Sequence, residues 1–177
     1  MKKKLHFKLM NAFIIIGMLI AAFLIYEHFS PSASKFCNFG KSLDCGIVNK
    51  SPYANLDGFF YLLTIDFGIP LPASLMTISD SNAFLDFITS NAFLGLLTLL
   101  FLLLLTKANF KSVSFLFIKR DSTKRWIKGI TLFGVLYGFY LFLIQHFVLK
   151  TYCIFCLALD ITLLALLVLS WFVKVKK

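Results

Sequence analysis

The chain has 177 residues, 59% of them hydrophobic and 15% charged, with a formal net charge of +10. A mean hydropathy of +0.86 excludes an ordinary water-soluble domain and points to a membrane protein. On a soluble protein the positive charge would suggest nucleic acid or an acidic surface, but here the lysines flank apolar runs, no basic-aromatic motif accompanies them, and they read as topology determinants.

A bilayer core takes about 20 apolar residues as helix. The first run that fits is 9–29, behind Lys2, Lys3, Lys4 and Lys8. A basic start before an apolar stretch resembles a signal peptide, but the length of the run predicts an uncleaved anchor. The long loop 30–83 follows. It carries Cys37 and Cys45, then an apolar stretch, 59–76, interrupted by Asp66, Gly68, Pro70 and Pro72. Proline frees backbone groups that lipid cannot satisfy, so this stretch is predicted to be re-entrant or surface-lying rather than spanning. The second span is predicted at 84–105 and a basic connection at 106–129. Spans three and four are placed at 130–149 and 153–173, with Lys174, Lys176 and Lys177 beyond.

Four spans leave 14 of the 18 basic residues on one side, which the positive-inside rule makes cytoplasmic. A fifth span at 59–76 would move the 107–128 cluster and the C-terminal lysines outside. The expected architecture is therefore an all-α membrane protein: a four-transmembrane-helix bundle, one domain over 1–177, with an extracytoplasmic cysteine loop and a short cap segment. Both termini are expected in the cytoplasm.

That topology brings all four cysteines, Cys37, Cys45, Cys153 and Cys156, to the outer, oxidising face. Three readings are open. Two structural disulfides are one, although a bridge closing a few residues of one helix constrains little. A four-thiolate zinc site is another; the spacing of Cys153 and Cys156 suits it, whereas the spacing of Cys37 and Cys45 does not. Thiol redox chemistry is the third, because a helix N-terminus favours the thiolate at the first cysteine of Cys-x-x-Cys.

Three segments carry a resemblance. They are "CNFGKSLDCGIVNKSPYA" at 37–54, "YLFLIQHFVLKTYCIFC" at 140–156 and "NAFLG" at 91–95. Together, in a four-span topology, they resemble the vitamin K epoxide reductase family over most of the chain. The resemblance implies a membrane thiol-disulfide oxidoreductase that reoxidises a periplasmic thioredoxin-fold thiol oxidase. It would pass the electrons to a membrane quinone, ubiquinone or menaquinone, with no metal. It also implies the roles: Cys37 meets the partner, Cys45 carries the exchange to Cys153, and Cys156 hands the electrons on. The implied location is a bacterial inner membrane. Alternatives are a disulfide-stapled scaffold without catalysis, and a reductase of quinone or vitamin K epoxide using other thiol donors.

The implied quinone contacts are Asn91, Asp160 and Ser51. Asp160 stands where some members of the family have a tyrosine. It lies four residues after Cys156 and seven after Cys153, so the three share a helix face, with Asp160 roughly 10 Å beyond Cys153. An acid at such depth is a functional candidate by default, expected to pass a hydrogen bond or a proton to the quinone carbonyl. Asn91, counted from a span start at 84, falls at a similar depth. "SNAFL" occurs at both 81–85 and 90–94; Asn82 is read as a helix cap and Asn91 as the pocket residue. Ser51 is expected to hydrogen-bond across the cap. Gly134 and Gly138 read as a packing face, and His146 as an interfacial anchor near the cysteines, beside Gln145. The segment 55–90 is longer than in the family, and the part at 55–82 is expected to close the mouth of the pocket.

Overall fold

Apolar runs without internal proline have one way to satisfy their backbone in lipid, which is to become helices. In the computed structural model, which describes residues 2–30, 37–38, 40, 42–69, 82–111 and 122–172, they do so. The helices are α1 (Lys2–Phe29), α2 (Cys45–Asn49), α3 (Gly58–Tyr61), α4 (Ala83–Thr89), α5 (Asn91–Lys111), α6 (Thr123–Leu143) and α7 (Ile154–Trp171). π-helical turns extend α3 over Leu62–Asp66 and α6 over Ile144–Leu149, and a 3-10 turn occupies Pro52–Ala54. Among the described residues there is no strand; the extended pairs Asn38–Asp44, Leu43–Tyr152 and Asn55–Ser90 are isolated bridges.

Among the described residues, four stretches are long and apolar enough to cross a membrane: Leu5–Phe29, Asn91–Phe110, Thr123–Leu149 and Ile154–Trp171. Helix α1 packs against α5 and α7, and α6 against α7. Met10, Ile14, Leu99, Leu102, Leu105, Ile127 and Leu166 form the bundle core. Leu19, Phe133, Phe139 and Ile161 point outward and are exposed, the pattern of a surface solvated by lipid. His6 Nε2 lies 2.9 Å from the Leu169 carbonyl, so the first turns of α1 and the last turns of α7 share one end of the bundle. The cysteines occupy the other.

The second spanning helix starts at Asn91, seven residues later than the apolar window at 84 suggests. Ser90 causes the break. Its backbone is extended (φ −61°, ψ 134°) and bridges to Asn55, and its hydroxyl accepts the Phe93 N–H at 3.3 Å as the cap of α5. Asn82 caps the separate helix α4, accepting the Phe84 N–H at 3.0 Å. The two "SNAFL" copies therefore open two different helices. Of the stretch 59–76, the described part is α3 and its π turn, followed by Gly68 at φ 69°. Helix α3 presses so closely on the 3-10 turn that a Cβ on Gly58 would stand 2.5 Å from the Tyr53 Cα. The prolines at 70 and 72, the basic residues at 119 and 120, and the C-terminal lysines lie outside the described residues.

Candidate active site

The cysteine loop is held by polar side chains where an apolar sequence could not fix it. Asp44 caps α2 by accepting the Ile47 N–H at 3.1 Å, and its other oxygen accepts the Asn38 amide at 2.9 Å. Asn49, buried, donates to the Leu24 carbonyl at 2.7 Å and so ties α2 to α1. His28 sits between the Asn49 carbonyl and Asp86 Oδ1, which is 3.0 Å away. Asp86 Oδ1 also accepts the Asn55 amide at 2.8 Å. Helix α2, helix α4 and the segment after the 3-10 turn are thereby locked to the end of α1.

Within this frame Cys37 and Cys45 form one disulfide, with Cα atoms 5.5 Å apart. Cys153 and Cys156 form the other, with Cα atoms 5.2 Å apart. The Asp44 N–H donates to the Tyr152 carbonyl at 3.1 Å, and the Tyr152 N–H donates to the Ser42 carbonyl at 3.0 Å. Asp44 adjoins Cys45 and Tyr152 adjoins Cys153, so backbone hydrogen bonds hold the two pairs side by side. All four sulfurs belong to one apolar cluster with Leu24, Val48, Ala92 and Leu159.

Cys153 caps α7, its Sγ accepting the Cys156 N–H at 3.1 Å. Its own buried N–H donates to Gln145 Oε1 at 2.9 Å. Gln145 is only 2% exposed, a positioning role that sequence reasoning did not assign; a buried glutamine at a span end was the available signal. Lys150, in the left-handed region at φ 52°, makes the turn from α6 into this cap. His146 stays at the surface, its Nδ1 2.6 Å from the Tyr152 hydroxyl and its ring against Phe147. It does not reach the cavity.

A cavity of about 80 Å³ opens beneath Cys156, and Ser51, Asn91 and Asp160 all line it. Leu24, Leu141, Ile144 and Leu159 supply apolar walls. Asn91 stands at the very start of α5, not a turn or two inside a span, and two partners orient it. Its Oδ1 accepts the Tyr137 hydroxyl at 2.7 Å, and its Nδ2 donates to the Tyr53 carbonyl at 2.9 Å. An amide has two N–H donors, so one remains for a ligand. The Ser51 hydroxyl donates to the Val48 carbonyl at 2.8 Å, which leaves it able only to accept. Asp160 lies against the bare backbone of Gly138, where a Cβ would collide with its Oδ1. Gly138 is therefore the recess that seats the acid, and Gly134 alone keeps the packing role, against Leu163. A larger open groove of about 690 Å³, lined by Leu97, Arg125 and Trp126 among others, lies toward the opposite end, away from every cysteine.

The cavity offers one unspent amide N–H, one carboxyl and the Ser51 hydroxyl among mostly apolar side chains. No curated relative matches the chain. A family model described as "Vitamin K epoxide reductase family" does, over residues 8–171, which includes the loop pair, the cavity and the Cys-x-x-Cys helix. Members of that family use quinones and thioredoxin-like partners in general. Spanning helices, adjoining cysteine pairs and this match together place the chain in the vitamin K epoxide reductase family, as a multi-pass membrane thiol-disulfide oxidoreductase.

Proposed function

We propose that the protein accepts electrons from an extracytoplasmic thioredoxin-fold thiol oxidase and delivers them through its two cysteine pairs to a membrane quinone. The observation that carries this reading is the backbone bridge between residues 42–44 and Tyr152. It sets the loop disulfide against Cys153, while Cys156 borders the cavity.

Each exchange is attack of a thiolate on a disulfide sulfur. The partner's thiolate attacks Cys37, which is 1% exposed in this state and has to be uncovered for the attack; the Cys37–Cys45 bond breaks, and Cys45 leaves with the electron pair. The partner's second thiol displaces Cys37, and the partner departs oxidised. Cys45 attacks Cys153 and expels Cys156 as a thiolate. Cys37 then attacks Cys45, restoring the loop disulfide and freeing Cys153. Two electrons now rest on Cys153 and Cys156. A quinone in the cavity, ubiquinone or menaquinone, would supply the two-electron sink. Asn91 orients a carbonyl with its unspent N–H, Asp160 gives a hydrogen bond or a proton, and the leucines exclude water. Ser51 closes the cavity wall and holds the end of α2.

The membrane orientation follows the lysines: an inner-membrane protein with cytoplasmic termini and extracytoplasmic cysteines. The shared end of α1 and α7, opposite the cysteines, is compatible with it. Helix α3 acts as a lid on the pocket, through ring contacts of Phe59 with Tyr140 and of Tyr61 with Tyr53.

The test is dithiol-dependent reduction of a soluble quinone by purified protein, beside Cys153→Ala and Cys156→Ala. Turnover that both substitutions abolish is expected. Folded protein that reduces no quinone, while every cysteine substitution lowers only its thermal stability, would replace this reading with that of a stapled scaffold.

A further inference from the structure

Glu27 lies in the last turns of α1, fully buried. Neither of its carboxylate oxygens has a hydrogen-bond partner among the described residues. A carboxylate oxygen of Glu27 and the Sγ atoms of Cys37 and Cys45 all fall within 4.8 Å of one another. A buried acid without a partner is costly, and glutamine would fill the same space without the charge. Among the described residues, the charged groups whose fields reach it are Asp44 and Lys50. Both are committed elsewhere: Asp44 to the Ile47 N–H and the Asn38 amide, and Lys50 to the Ser30 carbonyl at 2.9 Å. The reactive atoms that Glu27 faces are the two sulfurs.

Those sulfurs raise a charge problem. Cys37 and Cys45 are 1% and 0% exposed, in an apolar cluster. Opening their disulfide leaves a thiolate there, and a buried anion needs a proton or a cation. The same thiol must later lose that proton to become a nucleophile.

We infer that Glu27 is the proton-exchange residue of the loop pair, an inference that rests on the relay proposed above. When the Cys37–Cys45 bond breaks, the electron pair goes to the Cys45 sulfur and the Glu27 carboxylic acid gives that sulfur its proton. When Cys45 attacks Cys153, the proton returns to the Glu27 carboxylate. The electron pair then forms the Cys45–Cys153 bond as Cys156 leaves with its own. Glu27 ends as it began, and the electrons come from the partner's dithiol. Between the two steps the negative charge rests on the Glu27 carboxylate, and the sulfur stays a neutral thiol.

Two measurements on the full chain test this. The first uses the Cys153→Ala/Cys156→Ala background, in which only the loop pair titrates as thiols. The ultraviolet thiolate absorbance is followed against pH with Glu27 and with Glu27→Gln. Removing a like charge beside the thiol is expected to lower the midpoint by about one pH unit. The second follows reoxidation of the reduced loop pair by the Cys153–Cys156 disulfide. Loss of a positioned proton acceptor is expected to slow Glu27→Gln by about a hundredfold at neutral pH. The slowed rate should climb with hydroxide concentration, and Glu27→Asp should recover part of it. A folded Glu27→Gln protein with an unmoved midpoint and the unsubstituted rate overturns the inference. A shifted midpoint in a protein that reduces no quinone would keep the coupling of Glu27 to the loop thiols and remove the relay around it.

Discussion

Replacing Gly138 with alanine tests whether the position of Asp160 matters to turnover. A methyl at 138 would stand 3.1 Å from the Asp160 Cγ and closer still to Oδ1, whereas at Gly134 it would meet Leu163 at 3.5 Å, ordinary contact. Alanine gains about 1 kcal/mol over glycine inside a helix, and overpacking of this kind costs about 1–3 kcal/mol. Gly134→Ala should therefore be neutral or slightly stabilising, and Gly138→Ala should lose up to about 2 kcal/mol. The larger consequence is functional. The carboxyl has to turn away from its recess, and a hydrogen bond involving such a group is worth about 1.5–3 kcal/mol. Quinone reduction should then fall by about tenfold to a hundredfold, at about 1.4 kcal/mol per factor of ten. Adding Asp160→Asn to Gly138→Ala should cost little more, because the two changes remove the same contact. The assay is steady-state quinone reduction with a small dithiol donor, beside thermal unfolding of each variant. If Gly138→Ala turns over like Gly134→Ala, Asp160 has no part in the reaction.

Asp160→Asn should keep a measurable share of quinone turnover, since an amide still donates a hydrogen bond, and Asp160→Leu should lose nearly all of it; equal, full activity in both would rule the acid out. Gln145→Ala strips the buried Cys153 N–H of its acceptor, so thermal unfolding should report a loss of about 1–3 kcal/mol. Gln145→Glu, which keeps an acceptor in place, should lose less. Phe59→Ala combined with Tyr61→Ala should raise the KM for quinone and leave kcat nearly unchanged, as expected when a lid is loosened without touching the cysteines. An unchanged KM would return this segment to a purely structural role.

The bundle was legible from apolar run length and lysine placement, because lipid leaves the backbone few alternatives. The convergence of Cys37, Cys45, Cys153 and Cys156 at one end followed from the same count. Ser51, Asn91 and Asp160 came from resemblance and helix spacing, and they reach one cavity with Cys156. The break at Ser90 was hidden because apolar residues continue across it; a bridge to Asn55, 35 positions away, decides it. Gly138 was hidden for a related reason. Gly-x-x-x-Gly reads as a surface for any neighbour, and only the tertiary structure reveals that this neighbour is a carboxyl. Glu27 drew no reading from the sequence, because nothing local announces the two sulfurs that the fold brings beside it. In each case local pattern was outvoted by a contact remote in sequence.

The backbone bridge from residues 42–44 to Tyr152 also bears on how the protein is made. Its two sides come from opposite ends of the chain, one just after the first spanning helix and one just before the last. A ribosome delivers them in that order, with two membrane crossings in between. On the proposed relay, the loop disulfide has no acceptor to discharge into until the last helix is seated. If the proposed relay holds, assembly itself completes the circuit, and a chain truncated before Tyr152 could take one electron pair into its loop disulfide but could not turn over.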